Sequence, residues 1–96
     1  MKTLITRTLH RYQIDGICLL AYDEADSQSA NWVASELQAD GYRLKGMHFG
    51  KGDVVIDVGA HIGLFSIYLA KRWPVLKVFA FEPFPSNFRN CLETCS

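Results

Sequence analysis

The sequence has 96 residues, 49% of them hydrophobic, with ten basic and ten acidic side chains and a formal net charge of zero. This composition is typical of a globular protein and excludes disordered and fibrous classes. The charge balance gives no electrostatic reason to expect nucleic acid or an anionic membrane as a partner. No run approaches the roughly 18 apolar residues of a membrane span, and no secretory pattern opens the chain, so we expect a cytoplasmic protein.

Residues 1–49 predict a β-hairpin followed by a helix. Segments 6–14 and 17–22 are rich in β-branched and aromatic residues and flank Asp15-Gly16, a strong hairpin signal. A helix is predicted over residues 28–39, because apolar residues recur there at helical spacing. Its predicted inward face consists of Ala30, Val33, Ala34 and Leu37. We expect the two tryptophans, Trp32 and Trp73, to be packing residues.

From residue 50 onward, strands alternate with helices. Segments 54–58 and 76–81 are apolar runs, as expected for strands buried on both faces of a parallel sheet. A helix is predicted between them over residues 64–73, and Pro85 can begin a last helix. This order predicts a right-handed βαβ unit in an α/β fold. We therefore divide the chain into an N-terminal hairpin and helix (1–49) and the first half of an α/β domain (50–96).

The loop after the first of these strands carries a glycine pattern, Asp57-x-Gly59-x-x-x-Gly63. Gly59 permits a sharp turn and the close approach of a ligand, and Gly63 is expected to let the next helix pack tightly on the strand. The N–H groups of that helix's first turn would then face a bound anion. Asp57 either caps the helix or faces the ligand.

An acidic residue, Glu82, ends the following strand, 19 positions after Gly63. A carboxylate at this position can accept hydrogen bonds from both hydroxyls of a ribose, although a solvated charge is the alternative. Ligands of such folds bind outside the carboxyl ends of the strands, where the loop and Glu82 both lie. The pattern therefore predicts a nucleotide site.

The residue at position 61 distinguishes two nucleotide classes. A dinucleotide site requires glycine there, and the side chain of His61 would crowd a pyrophosphate. S-adenosylmethionine has no phosphate, and the Asp57 carboxylate suits its amine. The loop therefore favours S-adenosylmethionine, with an NAD(P)-binding oxidoreductase domain as the alternative. We expect His61 to stabilise the loop rather than to act as a catalyst.

Residues 55–66, followed by residues 78–88, resemble the FkbM-type methyltransferases, in which the loop reads Asp-x-Gly-Ala-Asn-x-Gly and the strand end Glu-Pro-x-Pro. The resemblance implies a Rossmann-like class I methyltransferase domain. Its loop would hold the methionyl part of S-adenosylmethionine, and its acidic residue the ribose. It further implies O-methyl transfer to a hydroxyl of a small molecule, glycan or lipid. Phe84 either lies against the adenine or belongs to the core. The expected cofactor-binding residues are Asp57, Gly59, Ala60, His61, Gly63, Glu82 and Phe84.

Two departures from the family pattern limit what the resemblance implies. His61 replaces the usual asparagine, and residues 91–96 lack the asparagine-rich close of this helix. We assign no catalytic base and no metal site, and we expect the 96-residue chain alone to be inactive. A third hypothesis is an inactive remnant that associates through an unpaired sheet edge. The three cysteines are expected to be buried, reduced thiols.

Overall fold

The structure is a computed structural model that describes residues 6–95. It is a mixed α/β arrangement, as the sequence predicted. No helix within the described range has the length and apolar character needed to cross a membrane. In chain order the elements are β1 (Arg7–Ile14), β2 (Ile17–Glu24), α1 (Ala30–Gln38), β3 (Val54–Val58), α2 (Leu64–Arg72), β4 (Lys77–Phe81) and α3 (Pro85–Cys95).

Strands β1 and β2 form the predicted antiparallel hairpin, with Ile14 opposite Ile17. Asp15 and Gly16 both have positive φ, 52° and 76°, which is the conformation that a two-residue Asp-Gly turn requires. The Asp15 carboxylate also accepts a hydrogen bond from the Tyr68 hydroxyl at 2.8 Å. The hairpin turn is thereby joined to α2.

Helix α1 lies within the predicted range and presents the predicted face inward. Ala30 and Leu37 are buried, and the two intervening apolar residues are half-buried. Trp32 is 72% exposed, so the expectation that it packs in the core is wrong. Two positions after Ala30, it lies on the opposite side of the helix. Trp73, in contrast, packs edge-on against Phe49.

Strands β3 and β4 pair in parallel, and α2 connects them, which gives the predicted βαβ unit. Within residues 6–95, helices cover one face of this pair, where Val55 and Val78 pack against the core. The other face is open, and its apolar side chains are more than half exposed. The prediction of strands buried on both faces is therefore wrong for the described chain. The open face consists of Val54, Ile56, Val58, Phe79 and Phe81.

The core lies between the hairpin, α1 and α2. Ile14 and Leu19 of the hairpin are completely buried. Leu64 and Leu69 of α2 are each only 1% exposed. Helix α3 is attached to the hairpin by polar contacts, since Arg7 donates hydrogen bonds to side chains of α3 at 2.9 and 2.7 Å. These contacts fix α3, the helix that follows β4.

Candidate functional site

The two strand ends are joined directly by backbone hydrogen bonds. The N–H groups of Gly59 and Ala60 both donate to the carbonyl oxygen of Phe81, at 2.8 and 3.0 Å. The loop that follows β3 is therefore held against the end of β4. Because parallel strands end at one edge, the loop and Glu82 meet there, as the sequence predicted.

The two glycines of the loop have different surroundings. Gly59 has a φ of 79°, and a Cβ there would meet nothing within 4 Å, so open space adjoins its backbone. Gly63 has a φ of 90°, and its Cβ would lie 2.9 Å from the Cys95 sulfur and 3.3 Å from the Cys91 sulfur. The close approach at Gly63 is therefore to α3, not to the strand as predicted.

His61 occupies the left-handed backbone region, with a φ of 56°. Asparagine and histidine are both among the residues that tolerate this conformation. This explains how His61 can replace the asparagine of the FkbM-type loop pattern. The His61 N–H donates to Glu82 at 2.8 Å, and its Nε2 lies 3.4 Å from the Ser29 hydroxyl. Both the backbone and the ring of His61 thus contact neighbouring segments.

The Glu82 carboxylate bridges two loops. Its Oε1 accepts the His61 N–H at 2.8 Å, and its Oε2 accepts the Phe84 N–H at 2.9 Å. The group is half-buried and fixed in orientation, which distinguishes it from a freely solvated charge. Each carboxylate oxygen has two lone pairs, so each can accept one further hydrogen bond from a ligand hydroxyl.

Asp57 is bound to the helix that follows the loop, although not at its cap. Its Oδ2 accepts a hydrogen bond from the Ser66 hydroxyl at 2.7 Å, and Ser66 is 3% exposed. The N-cap of α2 is Gly63, where no side chain makes a capping hydrogen bond. The capping alternative for Asp57 is therefore wrong. Sequence reasoning gave Ser66 no role, although a serine one turn after Gly63 was the available signal.

A cavity of about 180 Å³ lies in front of the loop. One wall comes from the loop itself, including Asp57 and Gly59. The lining also includes two residues from the N-terminal part of the chain, which sequence reasoning missed. The lining residues are Val33, Tyr42, Asp57, Val58, Gly59, Ala60, His61, Leu64 and Phe65.

A larger cavity, of about 330 Å³, runs along β4 between α2 and α3. Its lining is mostly apolar, with Glu82 and two cysteines among its members. Because it follows the covered face of the sheet, we interpret it as loose packing and assign the site to the strand ends. Phe84 is 68% exposed, so the alternative of a core role for it is wrong.

The three cysteines differ in exposure, and all are free. Cys91 is buried, Cys18 is half-buried and Cys95 is exposed, so the prediction of buried thiols holds for Cys91 alone. Burial, with a contribution from Cys95, raises the pKa of the Cys91 thiol to about 12. This thiol is therefore protonated at neutral pH and a weak nucleophile.

Short segments of the chain are similar to segments of much longer proteins. It is 45% identical over 47 residues (49% of this chain and 18% of that protein) to 31-O-demethyl-FK506 methyltransferase FkbM of Streptomyces tacrolimicus. It is 52% identical over 31 residues (32% and 12%) to methyltransferase sdnD of Sordaria araneosa. It is also 52% identical over 42 residues (44% and 2%) to AMB antimetabolite synthetase AmbE of Pseudomonas aeruginosa.

The chain therefore spans less than a fifth of the length of these curated relatives. No protein-family model and no solved structure matches it. Two of these three relatives are named methyltransferases.

Proposed function

We propose that residues 50–96 form the first half of a Rossmann-like class I methyltransferase domain of the FkbM type, and that this segment binds S-adenosylmethionine. Residues 1–49 lead into the domain and supply part of the cofactor pocket. The observation that carries the proposal is the Glu82 carboxylate, oriented by the N–H groups of His61 and Phe84 beside the glycine loop.

The free thiols favour a cytoplasmic protein.

The described residues fit such a cofactor in their chemistry. Glu82 retains lone pairs for two ribose hydroxyls, and the exposed ring of Phe84 adjoins it in sequence and can contact the adenine. Within residues 6–95, Asp57 Oδ1 accepts no hydrogen bond, so it is available to an ammonium group. Gly59 keeps the backbone open to a close ligand.

The cofactor supplies an electrophilic methyl group on a cationic sulfur. This chain's residues would contribute by holding the donor in one orientation, and positioning is a large part of the rate of an in-line displacement. The acceptor is proposed to be a hydroxyl of a small molecule, glycan or lipid. We assign neither an acceptor-binding residue nor a catalytic base to residues 6–95, and we expect the 96-residue chain alone to be inactive.

The competing NAD(P) hypothesis makes an opposite prediction about ligand preference. His61 occupies the position where a pyrophosphate needs glycine, and a carboxylate at Asp57 would repel phosphate. Isothermal titration calorimetry of the chain with S-adenosylhomocysteine, and separately with NADH, tests the difference. We expect binding of S-adenosylhomocysteine and weaker or no binding of NADH. The reverse order, or no binding of S-adenosylhomocysteine at millimolar concentration, would overturn the proposal.

A further inference from the structure

An aromatic side chain from outside the motif forms part of the pocket in front of the glycine loop. Tyr42 lies in the segment between α1 and β3, and it lines the 180 Å³ cavity together with Asp57 and Gly59. Val33 of α1 lines the same cavity. A ligand held by the loop would therefore also meet the N-terminal part of the chain.

The backbone on both sides of Tyr42 is fixed by a capped turn. The Asp40 carboxylate accepts hydrogen bonds from the N–H groups of Leu44 and Lys45, at 2.7 and 3.1 Å. Leu44 is buried, and the ring of Tyr42 packs on Phe65 of α2 with centroids 4.7 Å apart. Because the ring is already held in place, little conformational entropy is lost when a ligand contacts it.

The electrostatics of this cavity favour a positively charged group. Burial raises the pKa of Tyr42, and the carboxylates of Glu36 and Asp57 raise it further, so its hydroxyl is neutral at pH 7. Carboxylates pair with ammonium groups, and an aromatic ring attracts a cation near its face.

The cavity is large enough to hold one end of a ligand. A volume of about 180 Å³ corresponds to the liquid volume of on the order of six water molecules. This space suits a short amino-acid chain. The adenosine would extend toward Glu82 and the exposed ring of Phe84.

We propose that Tyr42 contacts the ammonium group at the amino-acid end of S-adenosylmethionine, in the cavity that Asp57 also lines, while Glu82 binds the ribose. Tyr42 is then a cofactor-binding residue that selects ligands carrying an amino-acid group. This inference rests on the proposed function, since it assigns one wall of the same site. It adds a residue from the N-terminal segment to the cofactor pocket.

Two ligands that differ only at the amino-acid end test the assignment. S-adenosylhomocysteine carries the amino-acid group, whereas 5′-methylthioadenosine retains the adenosine and the thioether but lacks that group. We expect Tyr42→Leu to weaken the binding of S-adenosylhomocysteine about tenfold. Its affinity for 5′-methylthioadenosine should stay within about twofold of the wild-type value. Tyr42→Phe keeps the ring and should retain most of the affinity. Tyr22→Leu, in β2 and outside this cavity, is the matched control for a lost tyrosine.

The outcomes separate this inference from the proposed function. If wild type binds S-adenosylhomocysteine and Tyr42→Leu binds it equally well, Tyr42 does not bind the ligand and the inference fails alone. Equal weakening of both ligands would also overturn it, because Tyr42 would then act through the fold; thermal unfolding of each variant measures that effect directly. If wild type binds neither ligand, the proposed function fails, and the inference fails with it.

Discussion

At residue 61 the loop adopts a left-handed backbone that most side chains disfavour, with a φ of 56°. We expect His61→Asn to leave stability nearly unchanged, because asparagine tolerates this region. His61→Val should lower the free energy of unfolding by about 1–2 kcal/mol, since a β-branched residue is strained there. Urea denaturation of the three proteins measures the difference. Equal urea midpoints for His61→Val and wild type would contradict the assignment of a left-handed backbone to residue 61.

The two loop glycines provide a matched pair at the same scale. Gly59→Ala meets only the cost of positive φ, whereas Gly63→Ala also brings a methyl group to 2.9 Å from the Cys95 sulfur. We expect both to destabilise the fold by at least about 1 kcal/mol, with Gly63→Ala the more costly. Cys95→Ala should reduce the excess cost at Gly63. If the two substitutions cost the same, the contact with α3 carries no energetic weight.

Single residues differed in how far the sequence predicted them. The sequence predicted that Gly59, Gly63 and Glu82 would lie at one sheet edge, because spacing and strand polarity determine that placement. It did not reveal Ser66 or Tyr42 as members of the site. Their contacts join segments through tertiary packing, which neither helical periodicity nor strand alternation encodes. The contact of Gly63 with α3 was missed for the same reason.

Among the elements, α3 carries the clearest pH dependence. The pKa of Cys91 is raised from 9.0 to about 12, mainly by burial, so the folded state holds this proton more tightly than the unfolded state. Its contribution to stability is therefore complete below pH 9 and is lost as the pH rises toward 12. Burial also raises the pKa values of Tyr12 and Tyr68, which act in the same direction.

We expect the free energy of unfolding to fall with a slope of up to about 1.4 kcal/mol per pH unit for each such group, above pH 9 for Cys91 and above pH 10 for the two tyrosines. Urea denaturation at intervals between pH 7 and 10.5 measures the slope. Cys91→Ala removes one titrating group and should flatten it relative to wild type. A slope that is the same in both proteins would contradict the account of Cys91.

Element type was predicted better than element surroundings. The hairpin, the three helices and the parallel strand pair all follow from turn residues and apolar periodicity, with ends displaced by a few residues. The apolar runs of β3 and β4 predicted burial on both faces, yet periodicity cannot specify which other segment covers a face. In the described chain, α2 and α3 lie on one side only.

At the scale of the whole described chain, residues 6–95 are elongated, with extents of 51 × 23 × 18 Å, and they expose apolar sheet surface. Ile56 and Phe79 are 63% and 51% exposed on the open face. We expect the chain to bind the hydrophobic dye 8-anilinonaphthalene-1-sulfonate at neutral pH, and the double substitution Ile56→Thr with Phe79→Thr to reduce the fluorescence clearly. Threonine keeps the strand propensity while adding a hydroxyl.

Leu9→Thr is the control for this measurement, because Leu9 is 51% exposed and belongs to the hairpin sheet, not to the β3–β4 sheet that carries the open face. It should leave dye fluorescence almost unchanged. Equal fluorescence from wild type and the double variant would show that the open face is covered in solution. Within residues 6–95, β3 and β4 pair only with each other, so each has one unpaired edge. Self-association through these edges stays a prediction.

The central claim is that the carboxylate of Glu82 binds the ribose of S-adenosylmethionine, and the affinity of a Glu82 variant tests it most directly. Calorimetric titration with S-adenosylhomocysteine should give a dissociation constant at least about tenfold higher for Glu82→Gln than for wild type. Glu82→Asp, which keeps the charge but shortens the reach, should also weaken binding. Glu24→Gln, an exposed glutamate on the hairpin, should leave it unchanged. Unaltered affinity in folded Glu82 variants would contradict the account.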